Sequence, residues 1–400
     1  MKRTMLVTLI ATVVGCTFSK STDDGESDWV DDTANTSSSS SDSDGGSDGG
    51  SDGDSDGGSG SGGGSGSGTD GGSGGGSGSG GGDDSGGTNG DDDPVGTDSE
   101  MVHEDCIDGD FTEVLPDPSV DISSDVSGYS AGAVNDFLFS TLGKRFETGR
   151  YILESGFESD GMFSQDCIEM FLWDTSSADA VIRQASTLVH ECGHFYDLDS
   201  GTFADPRFNF TEDLYFSCSG GSTPDNGGGV MFSRSLLRND EFSALNLPCD
   251  ETSSDDCDFY ADIYLNGNPD DATFDSGDQG YGMLHEETLQ YIHSLATGYA
   301  FNDRYSGSVS ERDGILTFLW YTTRYLRMAR LEHPSSYAML SEDDCWREVI
   351  LSTWGRAWLY LDVTEDMTQL GINDAYLETL VREPVLLEEI QRLRDIEGCE

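Results

Sequence analysis

Basic residues are the first thing this chain lacks. Its 400 residues hold 77 acids and only 20 lysines and arginines, a formal net charge of −57. Residues 21–100 take 20 of the acids and none of the bases, and Lys2, Arg3 and Lys20 precede them. From residue 101 onward, 57 acids therefore face 17 bases, a net of −40. A body this acidic repels polyphosphate, which argues strongly against a nucleic-acid partner. It would also avoid an anionic membrane surface unless covalently held there. The acidity reads as solubility in a salty or extracellular medium. Long apolar runs are missing too: nothing after residue 16 is apolar for long enough to form a transmembrane helix. No Cys-x-x-Cys pair occurs, which weighs against a metal-thiolate site. Histidine is scarce, with six in the chain.

What is present divides the chain into three parts. Residues 1–16 open with the basic Met1-Lys2-Arg3 and continue with an apolar run from Met5 to Val14. That run is too short to cross a bilayer but suits a signal-peptide core. It ends in Val13-Val14-Gly15-Cys16, which resembles a bacterial lipobox. The resemblance implies cleavage before Cys16, a lipid on its thiol, and a protein anchored to a membrane rather than spanning it. Thr17 is not the Asp that commonly retains such proteins at the inner membrane, so the outer membrane or cell surface is the favoured location. Residues 17–100 are a Gly/Ser/Asp tether, and half of residues 41–90 are glycine. With no apolar surface to bury, this segment cannot offset the entropy of ordering, so disorder is expected. Random-coil scaling gives its 84 residues a typical reach of roughly 50 Å.

Residues 101–400 have the aromatics and leucines of a folded domain. Helical periodicity predicts helices over Ala131–Leu142, Ala178–Leu198, Glu286–Ala300, Asp313–Leu331 and Asp343–Leu361, with a shorter one over Glu383–Ile396. Strand signals are few, the clearest around Gly229–Ser233. Stretches 199–229 and 248–282 read as long loops. The expected fold is α+β and mainly helical. With Cys16 set aside for a lipid, eight cysteines remain, an even number that suits disulfides in an exported domain. Cys249 and Cys257 are close enough to close a local loop.

The chemistry concentrates at His190-Glu191-Cys192-Gly193-His194. Inside a helix, positions 190 and 194 lie one turn apart and present two imidazoles to one point, the geometry a tetrahedral Zn²⁺ takes from two ligands. Glu191 leaves the adjoining face of the same turn, where it can act as general base on a water without occupying the metal. With six histidines, a chance match to this pattern is a roughly one-in-two-hundred event for such a composition. The uncharged residues Leu188, Val189, Cys192, Gly193 and Phe195 complete a helix that resembles that of the zincin metallopeptidases. That resemblance implies a zincin-like fold, Zn²⁺ as cofactor, and hydrolysis of peptide bonds.

A catalytic zinc usually has three protein ligands. Asp197 and Ser200 stand where a metzincin would carry Gly and a further ligand, so that branch fails. Gly201-Thr202-Phe203-Ala204-Asp205 has the letters of an aspzincin element, which keeps Asp205 as a candidate. Glu286 and Glu287 open a second helical pattern. Leu289 and Ile292 stand two and five positions after Glu287, resembling the second zinc helix of gluzincins and favouring Glu287 as third ligand over Glu286. Many gluzincins orient the first His with an Asp four residues after the ligand. That position is Tyr291 here, so a phenol, Asp197 or Asp199 must serve. Tyr281 resembles the oxyanion donor placed before the ligand helix in some gluzincin toxins, with His285 and His293 as alternatives. The stripe Trp320–Tyr325 and the series Trp346, Val349, Ile350, Trp354, Trp358 and Leu361 read as core.

Together these features predict an exported, lipid-anchored zinc metallopeptidase acting on protein or peptide. The alternative is a non-catalytic acidic envelope lipoprotein whose metal site is structural or vestigial and which binds a protein or glycan partner.

Overall fold

In the computed structural model, residues 106–109, 111–159, 166–202, 204–220, 231–243, 260–268 and 275–399 are described. The signal segment with Cys16, the 17–100 tether, Cys249 and Cys257 lie outside them.

The fold is built around one helix that has no solvent face. Helix α8, Tyr281–Phe301, buries every residue except Tyr299. Against it pack α6, Ala185–Ser200, then α9, Glu311–Glu332, and α11, Asp344–Val363. A helix buried all round must be apolar or have its polar groups paired. Leu284, Leu289, Ile292, Leu295 and Ala296 supply the apolar faces, and all are fully buried. Trp320, Trp346, Trp354 and Trp358 fill the space between α9 and α11 and their neighbours. Both stripes read as core in the sequence are therefore core.

The remaining helices wrap this centre. They are α1 (Ser123–Gly128), α2 (Val134–Arg145), α3 (Glu147–Phe157), α4 (Cys167–Phe171), α5 (Ala178–Ile182), α7 (Ala261–Tyr264), α10 (Pro334–Glu342), α12 (Asp374–Val381) and α13 (Pro384–Glu397). The sheet content is one antiparallel hairpin among the described residues: β1, Arg207–Asn209, pairs with β2, Tyr215–Ser217. The fold is thus mainly helical, as expected, but the hairpin lies inside the stretch read as loop. Met231–Ser233 forms no strand.

Two departures in the helices have local causes. The helix expected over Ala178–Leu198 is two helices, because the Gln184 side chain takes over the junction. Its Oε1 accepts from the backbone N–H groups of Trp173 and Asp174, and its Nε2 donates to the carbonyls of Asp174 and Ala180. Further on, α8 begins at Tyr281, five residues before the expected start.

Three disulfides staple the described domain: Cys106–Cys399, Cys167–Cys192 and Cys218–Cys345. The second ties α6 to α4 through the residue that follows Glu191. Among the described residues no helix is long and apolar enough to cross a membrane.

Candidate metal centre

The α6–α8 contact carries polar residues that sequence spacing alone sets on one face of each helix. On α6 these are Ser186, His190, His194 and Asp197; on α8, Glu286, Glu287, Gln290 and Ser294. All eight are buried. Close approach of the helices depends on glycine. A Cβ at Gly193 would lie 1.8 Å from Gln290 Oε1, and on the other side of α6 a Cβ at Gly156 would lie 2.0 Å from the Cys192 carbonyl oxygen. The two residues between Glu191 and His194 are thus explained: Cys192 bonds to α4 and Gly193 admits α8.

At the centre of this face, His190, His194 and Glu287 each offer a ligand atom, all within 4.8 Å of one another. Glu287 Oε2 lies 3.6 Å from His190 Nε2 and 3.4 Å from His194 Nε2. Donors roughly 2.0–2.1 Å from a tetrahedral ion sit roughly 3.3–3.4 Å apart, so these spacings already suit a metal. His194 Nε2 and Glu287 Oε2 are buried and have no hydrogen-bond partner among the described residues. Unpaired buried polar atoms are costly, and a shared cation would satisfy both. The group can hold a metal ion.

The outer contacts fix which ring nitrogen faces inward. His194 Nδ1 lies 2.6 and 2.7 Å from the two oxygens of Glu286. A carboxylate only accepts, so Nδ1 carries the proton and Nε2 is the ligating atom. His190 Nδ1 lies 3.2 Å from Ser294 Oγ, whose hydroxyl donates onward to the Ser186 carbonyl at 3.4 Å. Gln290 Nε2 braces the Glu286 side, donating to Glu286 Oε1 at 3.2 Å and to Asp197 Oδ2 at 2.9 Å. Asp197 Oδ1 in turn accepts from Asn209 of β1, which hooks the hairpin onto the site. Tyr291 packs its ring edge-on to His190, with centroids 4.7 Å apart.

Electrostatics set Glu287 apart from Glu191. Burial would raise Glu287, but the charges of His194 and His190, 3.4 and 3.6 Å from its Oε2, hold it well below the usual carboxylate range. Burial likewise opposes a charge on His194, yet Glu286 and Glu287 keep its basicity well above that of an ordinary imidazole. Glu191 goes the other way. It is 1% exposed, and neither of its oxygens has a hydrogen-bond partner among the described residues. Burial first, and then the charges of Glu287 and Glu286, push its carboxyl well above the ordinary value despite the opposing pull of His194.

Other expected residues fall elsewhere. Glu286 is not positioned as a ligand alternative; it is the carboxylate that orients His194. Asp205 is exposed in a turn where its N–H bonds Thr202 Oγ1 at 3.0 Å, away from the cluster. The structure does not bring Tyr281 to the cluster either. It is the first residue of α8 rather than part of a preceding loop, and positions six apart on a helix leave the axis about 120° apart. Its hydroxyl instead faces His285 Nδ1, 3.5 Å away, among Tyr325 and Trp346. His285 and His293 are core residues: His285 Nε2 pairs with Thr353 Oγ1 at 2.9 Å, and burial lowers its pKa to about 3. His293 Nε2 bonds the Asn209 carbonyl at 3.1 Å.

Sequence reasoning missed Arg234. It opens a 3-10 turn, Arg234–Asn239, that is strapped to the entrance of α8. Its N–H donates to the Gln279 carbonyl at 2.8 Å, and the hydroxyl of Ser233 donates to the Asp278 carbonyl at 3.1 Å. The guanidinium carbon sits 5.5 Å from the Tyr264 ring centroid. No local pattern marks this residue in the sequence.

No known protein family, curated protein or solved structure matches the chain.

Proposed function

We propose that this chain is a zinc metallopeptidase that works outside the cytoplasm, held at a bacterial membrane surface by a lipid on Cys16 and a flexible tether. One observation carries the catalytic part: three metal-competent side chains converge beside a buried acid, Glu191, whose two oxygens have no hydrogen-bond partner among the described residues. Two imidazoles and one carboxylate form the donor set of a catalytic zinc, which keeps a coordination position open, whereas structural zinc sites are closed by four protein ligands. Bound there, zinc would supply Lewis acidity, polarising a scissile carbonyl and making a water acidic enough to react near neutrality.

The chain's own residues then have distinct tasks. Glu191 accepts the proton of the attacking water and delivers it to the leaving amine, a role that suits a carboxyl whose basicity is raised by burial. Glu286 and Ser294 hold the two imidazoles in the ligating tautomer. The burial of the whole face excludes bulk water and strengthens each electrostatic contact. The three disulfides weigh toward an oxidising compartment, in keeping with the signal-like segment that ends at Cys16.

The test uses the full chain loaded with zinc. Hydrolysis of casein or a broad peptide library is expected, lost with a chelator and restored by zinc. Glu191→Gln should keep its metal while turnover falls at least about a hundredfold. Metal retained in a folded wild-type protein with no turnover on any substrate would sink the peptidase reading and favour the non-catalytic envelope lipoprotein. Cys16→Ser should release the protein from membranes; unchanged retention would remove the lipid anchor.

A further inference from the structure

Seven arginines are buried in the described domain, and six of them have a carboxylate in contact. Arg145, Arg312, Arg324, Arg347, Arg356 and Arg394 each place a guanidinium nitrogen 2.5 to 2.9 Å from an aspartate or glutamate. That is the expected rule, because an unpaired buried charge is severely destabilising. Arg234 is the exception. It is 0% exposed, and Nε and both terminal nitrogens lack a hydrogen-bond partner among the described residues.

Its position connects this guanidinium to the His190–His194–Glu287 group. The guanidinium lies over Tyr264, whose hydroxyl is 3.0 Å from that of Tyr291, whose ring in turn packs against His190. The backbone of the same turn is fastened at Gln279, two residues before α8 begins. Burial disfavours the charge, and Glu287 is foremost among the groups that favour it. Once Glu287 serves as a ligand, its charge is committed to the ion and Arg234 needs another anion. A planar fork of N–H donors matches one group above others, a carboxylate held through two parallel hydrogen bonds.

We infer that Arg234 is a carboxylate receptor on the wall of the His190–His194–Glu287 centre, taking the free C-terminus or an acidic side chain of a bound peptide. Calling that peptide the substrate rests on the peptidase reading; the binding site itself does not. A C-terminal carboxylate held there would make the protein release residues from chain ends, and a side-chain carboxylate would make it select acidic sequences.

The experiment measures equilibrium binding to the zinc-loaded, full-length Glu191→Gln protein, so that no probe is consumed. Three probes are compared: an N-acetyl dipeptide acid, its C-terminal amide, and an amide of the same length carrying one glutamate. At least one carboxylate-bearing probe should bind about tenfold or more tightly than the plain amide. Adding Arg234→Met should reduce that preference below about threefold, while zinc content and melting temperature hold or the latter rises, since an unpaired buried charge is removed. Preference for the free acid alone identifies a terminal-carboxylate site, and preference for the glutamate amide identifies a side-chain site. Equal binding of all three probes, or a preference that survives Arg234→Met, overturns the inference. So does a fall in melting temperature of more than about 5 °C, which would make the guanidinium structural. Carboxylate binding without hydrolysis of any peptide by the wild type would retain Arg234 and discard the peptidase; hydrolysis with equal binding of all probes would do the reverse.

Discussion

Neighbouring glutamates on one helix have been given different tasks, and substituting each in turn separates them. Glu286 touches His194 through both oxygens, at 2.6 and 2.7 Å, and touches no other member of the cluster. Glu286→Gln keeps the length and one acceptor oxygen, so His194 Nδ1 still has a partner, but a neutral one. A hydrogen bond to a charged group contributes about 1.5–3 kcal/mol and a neutral one about half that, and outer-contact substitutions commonly weaken metal binding about tenfold to a hundredfold. Zinc affinity should therefore fall by that factor, about 1.4–2.7 kcal/mol, with the fold intact. Glu287→Gln removes an anionic ligand and should cost more than a hundredfold. The assay is equilibrium competition for zinc against a chromogenic chelator, with melting curves as the control for folding. If Glu286→Gln loses more affinity than Glu287→Gln, the two roles are reversed and the geometry has been misread. If neither changes affinity, the cluster is not the metal site.

Glu311, on α9, gives a pH signature separate from the His190–His194–Glu287 group. Burial raises its carboxyl to about 7, only partly offset by the Ser186 hydroxyl, which donates to it at 2.8 Å. The folded state thus holds this proton more tightly than the unfolded chain, whose ordinary value is 4.5. The associated stability is complete below that value and is lost as pH rises to about 7, a change of up to about 3 kcal/mol. Glu311→Gln should therefore gain on the wild type between pH 5 and pH 8 in urea unfolding; a difference that does not vary with pH contradicts the assignment. Gly193→Ala forces a methyl to within 1.8 Å of Gln290 Oε1 and should destabilise by about 1–3 kcal/mol. Pairing it with Gln290→Ala should recover part of that loss in thermal denaturation, whereas strictly additive losses would mean the clash is not the cause.

Periodicity and motif spacing carried the helical class and the heart of the site. The three residues that meet at the cluster are legible because a helix turn fixes His190 against His194, and because Leu289 and Ile292 give the stretch after Glu287 its resemblance to a gluzincin ligand helix, which favours Glu287 over Glu286. Less could be read where side chains decide the backbone. Gln184 breaks a continuous helical pattern with four hydrogen bonds that no propensity foretells. The β1–β2 hairpin has strands of three residues, too short to show alternation. The resemblance of Tyr281 to a donor placed before the ligand helix fails once the helix extends back to include it. The tasks of Glu286 and Ser294 depend on α6 lying against α8, a contact between residues about a hundred positions apart. Arg234 was invisible for the same reason: one arginine among 17 bases gives no sign in one dimension that its partner is missing.

Metal content with ligand identity tests the central claim most directly. The full chain, loaded with zinc and freed of excess, should hold about one ion, and X-ray absorption should show two imidazole nitrogens with oxygen and no sulfur in the coordination sphere. His194→Ala should abolish stoichiometric binding, while Arg234→Met should not. A chain that takes up no zinc, or holds it through sulfur, or keeps it unchanged without His194, would contradict the account at its root.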